Sequence, residues 1–164
     1  MAESIGTSIS QEELDERMAI LRRFRALLEQ QRTKFREYLR VLEMQENKIA
    51  LQDTESIRAH SELENQIVEG IGSLQKVIGP MQKLYLSARA STYNPADIVP
   101  IEKLQDDLTH LQTQVRAQNE RNRQLLRANL TELREQIVSI KNPYRARQSV
   151  YAEPEAGNLI QVEA

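Results

Sequence analysis

The sequence contains no cysteine and no tryptophan, and aromatic residues make up only 4% of its 164 positions. Without cysteine there is no disulfide, no thiolate nucleophile and no cysteine-ligated zinc, a composition that fits a reducing compartment. Glycine and proline number five each, and the scarcity of aromatic residues disfavours sheet and leaves helix. The two histidines, His60 and His110, stand in no Glu-x-x-His or His-x-x-x-His pattern, so a metal site is not expected. Glycine-rich phosphate loops and the Gly-x-Ser-x-Gly elbow are missing, which removes the commonest nucleotide and hydrolase signatures. No stretch is apolar enough to span a bilayer, and Met1 to Gly6 lacks the basic and apolar pattern of a signal peptide. The formal charge of −2 speaks against nucleic acid as the main partner, because phosphate binding needs a basic surface. These absences point to a soluble cytoplasmic protein of one domain, without cofactor, metal or catalytic residues.

What is present is apolar periodicity of helical spacing. Residues 1–10 read as a disordered lead, 11–141 as a helical domain and 142–164 as a flexible tail. Ser10 and Glu13 have capping-box spacing, and a first helix is expected from Gln11 to about Leu51. Its stripe runs through Leu14, Met18, Leu21, Leu28, Phe35, Leu39, Leu42 and Ile49, widened by Ile20, Phe24, Leu27 and Tyr38. Asp53 is placed to cap a second helix with the stripe Ile57, Leu63, Ile67, Ile71, Leu74, Ile78, Met81 and Leu84. Gly79-Pro80 predicts a kink or a one-residue break in it, since proline lacks the N–H and crowds the preceding turn. Ser91 to Val99 reads as a linker with a single turn capped by Asn94, and Pro100 as the first residue of a third helix ending before Asn142-Pro143. The fold class is therefore all-α: an elongated antiparallel helical bundle or coiled-coil hairpin of three long helices with a disordered C-terminal tail.

The third helix changes character midway. Ile101, Leu104, Leu108, Leu111 and Val115 are spaced for one face. The stretch from Arg116 to Gln124 is polar, and the apolar pattern resumes one step out of register at Leu125, Leu126, Leu130, Leu133, Ile137 and Ile140. A stripe that rotates in this way faces two surfaces in turn, its own core and then a partner, or else marks a core helix with a wet turn. Gln118, Asn119 and Asn122 are expected to form the loosest layer of the core.

The segment Asn119-Glu120-Arg121-Asn122-Arg123-Gln124-Leu125-Leu126 has the form N-x-x-N-x-x-L-L. It is followed by further helical turns, a proline stop and a tyrosine-containing piece, Val150-Tyr151-Ala152-Glu153-Pro154-Glu155-Ala156-Gly157. This arrangement resembles the C-terminal half of the FlgN-type flagellar export chaperones, in which an Asn-Leu stretch lies in the last long helix and a Tyr-Gly piece follows in the tail. Here five residues separate Tyr151 from Gly157.

The resemblance implies a cytoplasmic, non-catalytic chaperone of flagellar type III export. Such a chaperone binds hook-associated (hook–filament junction) proteins, covers their terminal helical segments and delivers them to the export gate. It places client binding at Asn119, Asn122, Leu125, Leu126, Leu130, Leu133 and Ile137. It places docking to the cytoplasmic domain of the gate at Tyr151, Val150 and Gly157. The chain is expected to be a monomer without membrane insertion. The alternative is a structural coiled-coil tether or homo-oligomeric scaffold, which the near-continuous apolar spacing also accommodates.

Overall fold

The computed structural model describes residues 9–88 and 94–141. The fold is all-α, with α1 over Gln11–Ala50, α2 over Thr54–Ala88 and α3 over Pro95–Lys141. Packing divides the chain into two units, Met1–Arg123 and Gln124–Ala164, so that α3 contributes to both.

Local chemistry sets the helix ends. Ser10 is extended (φ −62°, ψ 151°), and its hydroxyl accepts from the amide of Glu13, satisfying one of the donors that a helix start leaves over. At the other end of α1 the amide of Gln52 donates to the carbonyl of Ile49, and that of Asp53 to the carbonyl of Lys48. This pair of bonds is a Schellman motif, and it requires a left-handed residue between the helix and the next element. That residue is Gln52, at φ 56°. Asp53 then caps α2, its carboxylate accepting from both the amide and the hydroxyl of Ser56 at 3.1 and 2.6 Å. The hydrogen bonds to Ser56 hold the Asp53 carboxyl below the usual carboxylate range.

Of the kink or one-residue break expected at Gly79-Pro80, the break does not occur: α2 is helical through Pro80, and the Ile78 and Met81 contacts to the core continue on either side. The start of the third helix is corrected. α3 begins at Pro95 rather than at Pro100. Asn94 caps it, with its carbonyl accepting from Asp97 and its side chain from Ala96; Pro95 takes the first helical position, where a missing N–H costs nothing, and Pro100 stands in the second turn, where it forgoes a bond to the Ala96 carbonyl. The expected lead before Ile9, the first three residues of the expected linker and the tail lie outside the described residues.

Within Met1–Arg123 the three helices run up, down and up. Gln45 meets Ser61, Tyr38 meets Glu64 and Phe24 meets Tyr85, so α1 and α2 are antiparallel. Arg32 pairs with Asp107 and Leu42 with Asn122, so α3 returns parallel to α1. The core between them is built from Leu21, Phe24, Leu28, Leu42, Ile67, Ile71, Ile78, Ile101, Leu104 and Leu108, among others. Each such aliphatic side chain contributes about 1.5–3 kcal/mol on burial. Phe24 and Tyr85 stack with ring centroids 5.0 Å apart. Tyr85 is buried where the spacing suggested Leu84, which is instead half exposed.

Candidate protein-binding face

The polar stretch of α3 is built into the bundle. Gln118 and Asn122 are each only 2% exposed, as buried as the leucines around them. The Asn122 amide donates to the main-chain carbonyl of Leu42 at 2.9 Å and to the side-chain oxygen of Gln45 at 3.2 Å. Its own oxygen accepts from Gln118, which also donates to Glu46. Gln45 passes the network on to Ser61 of α2. A second branch runs from Asn119 to the Tyr38 hydroxyl and from there to Glu64 of α2. The result is a polar belt that reaches all three helices through named side chains. Burial, first, and the neighbouring Glu64 carboxylate, second, push the Tyr38 phenol up to about 12.

The belt also marks where the apolar stripe changes phase. Up to Asn122 the buried residues of α3 follow Ile101, Leu104, Leu108, Leu111, Val115 and Gln118, in alternating steps of three and four. Continued in that phase, the face would present Leu125 and then Asn129, Glu132, Gln136 and Ser139, the last four polar. The apolar residues instead stand one position later, at Leu126, Leu130, Leu133, Ile137 and Ile140.

That second stripe is open. Leu125 and Leu126 are half-buried, whereas Leu130 is 53%, Leu133 40%, Ile137 49% and Ile140 75% exposed. Of the residues that the resemblance assigns to client binding, Asn119 and Asn122 are thus tied into the belt. Leu130, Leu133 and Ile137 form an accessible row, and Leu125 and Leu126 lie between the two groups. Tyr151, Val150 and Gly157, assigned to gate docking, lie outside the described residues.

Sequence reasoning missed one further surface. Leu63, read as part of the α2 stripe, is nearly half exposed, as is Met44 of α1. With Val41 and Ile67 they line a groove of about 400 Å³ between α1 and α2, bordered by Lys34 and Arg40. The signal for it was the placement of Met44 off the main α1 stripe. Among the described residues no group of three or more histidine, cysteine, aspartate or glutamate side chains is arranged to hold a metal ion. No described helix is long and apolar enough to cross a membrane.

No family model matches the chain, and no solved structure matches it. An uncharacterized protein of Treponema pallidum (strain Nichols) is 40% identical over 132 residues, which span 80% of this chain and 82% of that protein. Identity of that extent across most of both chains places this one in the same family as the Treponema pallidum protein.

Proposed function

We propose that the chain is a non-catalytic export chaperone which captures a helical segment of a flagellar hook–filament junction protein in the cytoplasm and hands it to the export gate. The observation that carries this reading is the row Leu130, Leu133, Ile137 and Ile140, exposed on a regular helix directly after the polar belt. Apolar side chains spaced for one helix face and left uncovered suit the helix-in-face mode of recognition, in which an amphipathic partner covers them. The N-x-x-N-x-x-L-L resemblance supplies the choice of client. Tyr151 is the proposed anchor for the gate, because a tyrosine ring offers large contact area with few rotamers to order.

The test is co-purification of the full chain with junction proteins, comparing wild type with Leu130→Asp. Retained helical circular dichroism with loss of the junction protein supports the reading. Loss of helix together with binding would assign Leu130 to the fold. Tyr151→Ala is expected to keep the junction protein and lose the cytoplasmic domain of the gate.

A second reading is favoured by one observation. The steps from Leu126 to Leu130, Leu133, Ile137 and Ile140 are four, three, four and three, the spacing of a coiled-coil seam. A homo-oligomeric tether would use that seam between copies. Sedimentation at micromolar concentration separates the two, since the tether sediments as an oligomer without any client.

A further inference from the structure

The chemistry of the missing partner can be read from what borders the open row. In heptad terms Leu126, Leu133 and Ile140 occupy d, and Leu130 and Ile137 occupy a. The residues after the first two d positions, on one flank, are Arg127 and Arg134. The residues before each a, on the other flank, are Asn129 and Gln136. One flank is therefore uniformly cationic and the other neutral. The nearest carboxylates on this part of the helix, Glu132 and Glu135, fall on the positions away from the seam. Among the described residues neither Arg127 nor Arg134 forms an ion pair.

We propose that the Leu126–Ile140 row receives an amphipathic helix of about two heptads whose apolar stripe is bordered by aspartate or glutamate. This rests on the reading of that row as a capture face, and it adds the electrostatic character of what is captured.

A second copy of the chain meets the charge pattern poorly. Antiparallel pairing sets like flanks against each other, so that Arg134 opposes Arg134. Parallel pairing sets Arg134 against Asn129, which adds no charge attraction. The chain's own tail fits no better. It carries Pro143, Pro154 and Gly157, and these leave no uninterrupted helix as long as the row. An acidic-flanked helix satisfies both features at once. It covers the apolar row and places carboxylates along the cationic flank.

The experiment titrates the full chain with three synthetic peptides that share one leucine and isoleucine seam and differ only in flanks, which are all glutamate, all glutamine or all lysine. At about 0.01 M salt, where charges reach about 30 Å, the glutamate peptide is expected to bind roughly tenfold tighter than the lysine peptide, with glutamine between. Arg127→Glu combined with Arg134→Glu is expected to reverse the order while the helical circular dichroism stays unchanged. Equal binding of all three peptides overturns the proposed selectivity and leaves capture standing. Binding of none overturns capture as well. A sedimenting dimer in the absence of peptide overturns the proposal in favour of a second copy.

Discussion

The side-chain amide of Asn122 in α3 donates to the main-chain carbonyl of Leu42 in α1 across 80 positions of sequence, at 2.9 Å. Asn122 also donates to the Gln45 side-chain oxygen and accepts from Gln118, so removing it leaves the buried Gln45 oxygen without its donor and takes one bond from Gln118, which keeps Glu46. Asn122→Ala is expected to lower unfolding free energy by about 1–3 kcal/mol, the cost of leaving buried polar partners unmet. Urea denaturation measures it. A change below about 0.5 kcal/mol, the level of an ordinary surface substitution, would show that the belt contributes little.

Phe24 is fully buried against Tyr85, whereas Leu130 is half exposed. Phe24→Ala should cost about 3–5 kcal/mol through lost transfer energy and the cavity left behind. Leu130→Ala should change stability by no more than about 0.5 kcal/mol, as surface changes do. The same denaturation series checks both. A large loss at Leu130 would mean that the row is covered within the chain itself.

The raised Tyr38 phenol makes a prediction at alkaline pH. A folded-state value of about 12, above the unfolded value near 10, means that the fold favours the neutral hydroxyl. That stabilisation is fully present below pH 10 and is lost as pH climbs toward 12. Denaturation midpoints should therefore fall through this alkaline window. In Tyr38→Phe they should fall less steeply, although that variant starts lower because it lacks the hydrogen bonds to Glu64 and Asn119. Parallel slopes for the two proteins would assign the alkaline loss to other groups.

Gln52 holds φ 56°, a conformation that costs a side-chain-bearing residue about 1 kcal/mol and glycine almost nothing. Gln52→Gly is expected to raise the melting temperature despite removing a side chain. The gain is about 0.5–1 kcal/mol, reduced by the greater freedom glycine has when unfolded. A lower melting temperature would show that the glutamine side chain contributes more than the backbone strain it carries.

Much of this was legible in residue spacing. Ser10 and Asp53 announced two helix starts because an oxygen on a short side chain has few other tasks at such positions, whereas Asn94 was legible as a cap but only of a single turn. The α1 stripe from Leu21 to Ile49 was readable because its apolar residues outnumber the alternatives on every turn. Leu84 and Tyr85 were not separable by spacing, since steps of three and four from Met81 reach either one. The outcome turned on Phe24, a partner that lies far away in sequence. The polar stretch was read as a wet turn because a single chain shows which donors it has and not where the acceptors are. Leu42 and Gln45 become partners of Asn122 only once α1 and α3 lie side by side. The open row was visible as a phase shift, but its exposure was not, because spacing alone does not say whether a face is covered.

The short connection between α1 and α2 also orders events in time. Gln45 and Ser61 lie 16 positions apart, whereas Asn122 closes a loop five times longer onto Leu42, an extra entropic cost of roughly 1.4 kcal/mol. The hairpin of α1 and α2 is thus expected to assemble first, with α3 locking on afterwards. In folding kinetics, changes at Asn122 should then accelerate unfolding and leave the refolding rate nearly untouched, whereas trimming Ile67 in the hairpin should slow refolding. The reverse assignment of rates would mean that α3 takes part in the nucleus.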